Sequence, residues 1–105
     1  MWFCRKPTFE EIKNKAFRFY VGRADSDYLD KKFPKIQSRQ IKTWSQEFGK
    51  IISEIERLIE KDKGFDHESF VREISALSPF LDKKSLDKAG WYAGYFAWRQ
   101  GYKRK

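Results

Sequence analysis

One cysteine, Cys4, excludes a disulfide within the chain and fits a reducing compartment. One histidine, His67, leaves too few nitrogen and sulfur ligands for a zinc site of ordinary composition. No second histidine can serve as base in a Ser-His-Asp or Cys-His arrangement, and Cys4 beside a chain end is a poor nucleophile. There is no glycine-rich phosphate loop. Asp25, Asp27 and Asp30 are the one tight acidic set. They lack the glycine and distal glutamate of an EF-hand loop, so helix capping by Asp25 or Ser26 is the expected use. No apolar run nears the roughly 18–20 residues of a membrane span. Met1-Trp2-Phe3-Cys4 passes straight into Arg5 and Lys6, with no apolar stretch of the secretory kind. The expectation is a cytoplasmic protein without cofactor, metal or catalysis.

Positive charge is plentiful. Lys and Arg number 23 against 15 Asp and Glu, for a net +8. The excess is +6 over residues 1–50 and +4 over residues 89–105, while residues 51–88 carry −2. Such asymmetry points to an anionic partner.

Gly22, Pro34, Gly64 and Pro79 cut the 105 residues into helical segments. The first runs from Thr8 to Val21 behind a Thr8-x-x-Glu11 capping box, with Phe9, Ile12, Ala16, Phe19 and Tyr20 on one face and Gly22 as a left-handed stop. A short helix or turn follows at Asp25–Lys32, ended by Pro34. The third segment is the clearest. Ile41, Trp44, Phe48, Ile51, Ile55 and Leu58 are spaced 3, 4, 3, 4 and 3, with Ser38 as cap and an end near Lys61. Gly49 inside it suggests another helix crossing closely. The fourth begins at the Asp66 cap and carries Phe70, Val71, Ile74 and Leu77. His67 falls in its exposed first turn. The fifth starts near Asp82 or Ser85 and runs to the end. Nothing alternates over a strand's length. The expected fold is therefore all-α, a compact single-domain bundle of four to five helices with an aromatic-rich C-terminal helix in the core.

That last helix ends in AGWYAGYFAWRQGYKRK, residues 89–105. Trp91, Tyr95, Trp98 and Tyr102 form one stripe, and Gly90, Gly94, Ala97 and Gly101 a second beside it. Three readings compete. The expected one is a central helix whose rings are mostly buried, with the tail extending past the core. The others are a self-association face built on the small residues and a platform on which bases stack.

Lys35, Arg39 and Lys42 crowd the start of the third segment, whereas Glu54, Glu56 and Glu60 lie toward its end. That opposes the helix dipole at a few tenths of a kcal/mol per exposed group. Backbone amides at a helix start already attract anions, and added cations strengthen the trap. Arg39, Lys42, Gln46 and Lys50 lie opposite the apolar stripe, and Lys13, Arg18, Lys31 and Lys32 extend the patch. Two stretches, SRQIKTWSQEF and FVREISALSPFL, resemble the small helical subunits of CRISPR effector complexes. The likeness is confined to those residues, and no site is transferred from it.

The expected function is backbone-directed binding of nucleic acid, DNA or RNA, by a small subunit of a larger nucleoprotein assembly. Lys35, Arg39 and Lys42 would hold phosphate, with Arg99, Lys103, Arg104 and Lys105 as a second contact. Other protein subunits and a homo-oligomer are the further partners expected, with no integral membrane association. The alternatives are an adaptor, inhibitor or immunity-type protein meeting an acidic partner, and peripheral attachment to anionic membrane.

Overall fold

The computed structural model describes residues 7–23 and 25–104, the side chains of Lys103 and Arg104 excepted. Among the described residues the chain forms α1 (Phe9–Tyr20), α2 (Ser26–Lys32), α3 (Ser38–Asp62), α4 (His67–Leu77) and α5 (Lys83–Arg99). The fold is an all-α bundle. Two-residue strands β1 (Gly64–Phe65) and β2 (Lys103–Arg104) add one short parallel pairing, Gly64 beside Lys103 and Phe65 beside Arg104. No helix among these residues is long and apolar enough to cross a membrane.

Local signals set the ends. The Thr8 hydroxyl accepts from the Glu11 amide at 3.1 Å, starting α1. The α1 end is a type II turn: Val21 sits at φ −61, ψ 123, Gly22 at φ +97, and the Arg23 N–H donates to Tyr20 O at 3.0 Å. Asp25 caps α2 by accepting from the Asp27 amide at 2.9 Å, the capping use expected of it. The α3 cap is Gln37, one residue before the expected Ser38, and no side chain bonds the first amides. Helix α5 stops well before the chain end in a Schellman motif. Gly101, at φ +77, donates to Trp98 O at 3.0 Å, and Tyr102 donates to Ala97 O at 2.9 Å. The last helix therefore does not run to the end, and the tail does not simply extend past the core. The backbone reverses and pairs with β1.

The α3 stripe is buried as its spacing predicts, with Ile41, Trp44, Phe48, Ile51, Ile55, Leu58 and Ile59 inside. The close neighbour at Gly49 is the Tyr20 hydroxyl of α1, 3.4 Å from where a Cβ would lie. Helix α1 is rotated from the expected face. It buries Asn14, Ala16, Phe17 and Tyr20, leaves Phe19 half-buried and exposes Phe9. Phe17 and Tyr20 pack on Phe48, and Phe80 joins them, with ring centroids 5.4–6.5 Å apart. On α4, Phe70 and Ile74 are buried and Leu77 is exposed.

Helix α5 is central, packing against α1, α3 and α4. It enters the core through Ser85, Ala89, Gly90, Ala93 and Ala97, not through its large rings. The expectation of inward rings is overturned for Trp91, Tyr95 and Trp98, which are 55%, 42% and 74% exposed. Small residues let three helices close on one face, and that close approach leaves no space for indoles. Tyr92, Phe96 and Tyr102 lie half-buried against the core. Tyr92 donates its hydroxyl to Glu56, and Tyr102 donates to Glu60 at 2.9 Å, tying α5 and the tail to α3.

Asn14 is the polar fastening between α1 and the start of α5. It is 2% exposed. Its amide nitrogen donates to Glu10 O at 3.0 Å and to Phe80 O at 2.9 Å, and its oxygen accepts from the Asp82 amide at 2.9 Å. The Ser85 hydroxyl donates to Asn14 O at 3.3 Å. Replacing Asn14 by Ala strands the Asp82 N–H and the Phe80 carbonyl. Chemical denaturation should show a loss of about 2–3 kcal/mol.

A second expectation concerns pH. Burial, and then the hydrogen bond to Glu56, push the Tyr92 phenol well above its ordinary value of 10.0. The unfolded chain therefore ionises first as pH rises. This contribution is fully present below about pH 10 and is lost progressively above it. The denaturation midpoint should fall above that pH, and less steeply in Tyr92→Phe.

Candidate nucleic-acid interface

A groove of about 760 Å³ opens where α1, the α2–α3 connector and the start of α5 meet. Its apolar lining is Pro7, Ile12, Phe33, Pro34 and Ile36. Its charged lining is Lys15, Arg18, Lys32, Lys35, Lys83 and Lys84, against only Glu11 and Asp82. All five lysines are exposed, and among the described residues none forms an ion pair. Asp82 is already engaged: it accepts from the Ser85 amide at 2.8 Å and from Arg18 at 3.4 Å. Arg18 also donates to the Ser85 hydroxyl at 3.2 Å. That arginine braces the groove wall, and the Lys32 ammonium stands 5.6 Å from the Phe19 ring centroid and 5.7 Å from that of Tyr28, whereas Lys15, Lys35, Lys83 and Lys84 make no ion pair or ring contact among the described residues.

Local sequence explains the convergence. Pro34 follows α2, so Lys35 stands in the connector rather than on a helix. Asp82 caps α5 and thereby places Lys83 and Lys84 in the first turn. Neither α3 nor α5 has an acidic residue in its first turn. Both helices thus begin with cations next to the positive end of their dipole. The groove has an excess of positive charge over an apolar bed, suited to an anion with flat or apolar parts.

The residues expected from sequence do not all meet here. Lys35 lines the groove. Arg39 and Lys42 lie outside its lining, exposed on the first turns of α3, and exposed Gln46 and Lys50 continue their row. Lys13 is taken up structurally: its ammonium is 2.8 Å from Glu47 and 4.0 Å from the Phe80 ring centroid. Lys31 is exposed but outside the lining. Arg99 is remote in kind, donating to the Tyr95 hydroxyl at 3.4 Å on the α5 surface. Lys103 and Arg104 are placed by backbone pairing with β1. Lys105 lies outside the described residues, as does Cys4.

Sequence reasoning missed Lys15, Lys83 and Lys84. For the last two a signal existed: a capping Asp82 followed by two lysines repeats the opposition to the dipole already noted for α3. Among the described residues no group of three or more His, Cys, Asp or Glu side chains is placed to hold a metal ion. Comparison of the chain with family models, curated proteins and solved structures finds no match.

Proposed function

We propose that this protein binds nucleic acid through backbone phosphates, without catalysis, as a small cytoplasmic subunit of a larger nucleoprotein assembly. The observation that carries the reading is the groove, where five exposed lysines and Arg18 face two carboxylates, of which Asp82 is paired with Arg18. Lys15, Lys32, Lys35, Lys83 and Lys84 are the phosphate contacts, and Arg39 and Lys42 lengthen the path along α3. Contacts of this kind position a backbone and carry no base readout. A second reading is an adaptor or inhibitor recognising an acidic protein, favoured by the same surplus of charge. It would show one tight partner and no affinity for generic oligonucleotides.

The test is binding to a generic duplex across a salt series, read by fluorescence anisotropy. In a Lys35→Ala, Lys83→Ala, Lys84→Ala variant, the slope of log K against log salt should flatten by about 0.9 for each contact removed. Affinity should fall at least tenfold, by about 1.4 kcal/mol or more. Stability should hold or rise by a few tenths of a kcal/mol, because two of these cations oppose the α5 dipole. Unchanged affinity and slope would remove the groove from the proposal.

A further inference from the structure

The solvent face of α5 carries a continuous row that begins in the groove. Lys84, Lys88, Trp91, Tyr95 and Trp98 follow at intervals of 4, 3, 4 and 3 residues, the spacing of one helical stripe. The opposite face, Ser85, Ala89, Ala93 and Ala97, is buried, which fixes the row outward. At 1.5 Å per residue it extends about 21 Å. Lys84 belongs to the groove lining, so the row and the groove are contiguous.

The rings are arranged in series. Trp91 and Tyr95 have centroids 5.9 Å apart and planes 9° from parallel. Tyr95 and Trp98 are 6.3 Å apart at 36°. Cations accompany them: the Lys88 ammonium is 4.3 Å from the Trp91 centroid, and the Arg99 guanidinium carbon is 5.9 Å from that of Tyr95. Asp87 is the one acidic residue within α5.

We propose that this row is a track for single-stranded nucleic acid. Lys84 and Lys88 take phosphates, and Trp91, Tyr95 and Trp98 stack on unpaired bases. The inference rests on the groove as a phosphate site and adds the class of strand. Charge and ring geometry together select the occupant. A second copy laid antiparallel on this face would bring Arg99 of one chain toward Lys88 of the other, like against like, on chains each carrying +8. A duplex has its base faces already stacked and cannot cover the rings. A single strand offers flat apolar faces and regularly spaced anions at once.

The experiment compares oligothymidylate, oligouridylate and a duplex of equal length on the wild type, Trp91→Ala, Trp98→Ala and Trp98→Phe. The altered side chains are exposed, so circular dichroism and the thermal midpoint should not move. Single-strand affinity should fall about tenfold for each ring removed, while duplex affinity stays unchanged and Trp98→Phe retains most binding. Equal responses to both oligomers assign the contact to stacking common to both bases, and a thymidylate-only or uridylate-only response restricts the track to that strand type. Unchanged single-strand affinity in both alanine variants overturns the track. So does equal loss for single strand and duplex, or a wild-type dimer that Trp98→Ala dissociates with oligonucleotide affinity intact. Retention of single-strand binding by the ring variants, with loss of duplex binding in the groove variant, sinks the track alone. A protein that binds neither form sinks both readings.

Discussion

The side-chain amide of Asn14 fixes how α5 sits on the rest of the molecule. Both its donors and its acceptor are used, two of them on Phe80 and Asp82, far along the chain. In an apolar interior an unmet amide is costly, so the arrangement tolerates little displacement. Asp82 in turn caps α5 and receives Arg18. One buried amide therefore sets where α5 starts and which way it is rolled. The groove lysines and the outward rings both inherit their positions from it.

The protein sorts its aromatic residues into two populations by what lies opposite them. Helices α1 and α3 supply most rings of the core, with Phe17, Tyr20 and Trp44 each packed on Phe48, while Phe65 of β1 pairs with Phe70 of α4. Helix α5 meets them with alanine, glycine and serine. Large side chains against small ones suit the close packing of protein interiors. The consequence is that α5 has no inward position for Trp91, Tyr95 or Trp98. A helix that includes Gly90 and Gly94 gives up propensity, and packing on three neighbours offsets this.

How much of this could be read beforehand depends on whether polar residues marked a solvent side. Helix α3 has a clean polar face, and its buried stripe was legible residue by residue. Helix α1 was not: Phe9, Ile12, Phe17, Phe19 and Tyr20 make overlapping apolar faces, and the choice between them is made by Asn14, whose partners lie 66 and 68 residues away. No hydrophobic period contains that information. In α5 the ring stripe and the small-residue stripe are both apolar, so periodicity identifies two faces without saying which is inside. The stop at Gly101 is a local left-handed signal, but the pairing of the tail with Gly64 and Phe65 is again a distant contact. The groove was half legible, since Lys83 and Lys84 oppose a helix dipole just as the cations at the start of α3 do, whereas Lys15 joins only through the packing of α1.

The placement of charge bears on function more directly than its amount. A basic protein can spread its lysines over solvated faces at little electrostatic cost. Here α3 and α5 both begin without an acidic first turn, and cations stand beside both starts. Each exposed group there forgoes a few tenths of a kcal/mol that the opposite arrangement would supply. An anion in the groove relieves that opposition at Lys35, Lys83 and Lys84 together, which solvent alone does not. Because Lys84 also begins the exposed row of α5, a bound strand held there is already aligned with Trp91, Tyr95 and Trp98 on the same rigid helix. In the proposed reading, phosphate attraction and ring stacking are joined by one secondary-structure element, whose start is fastened in the core by Asn14.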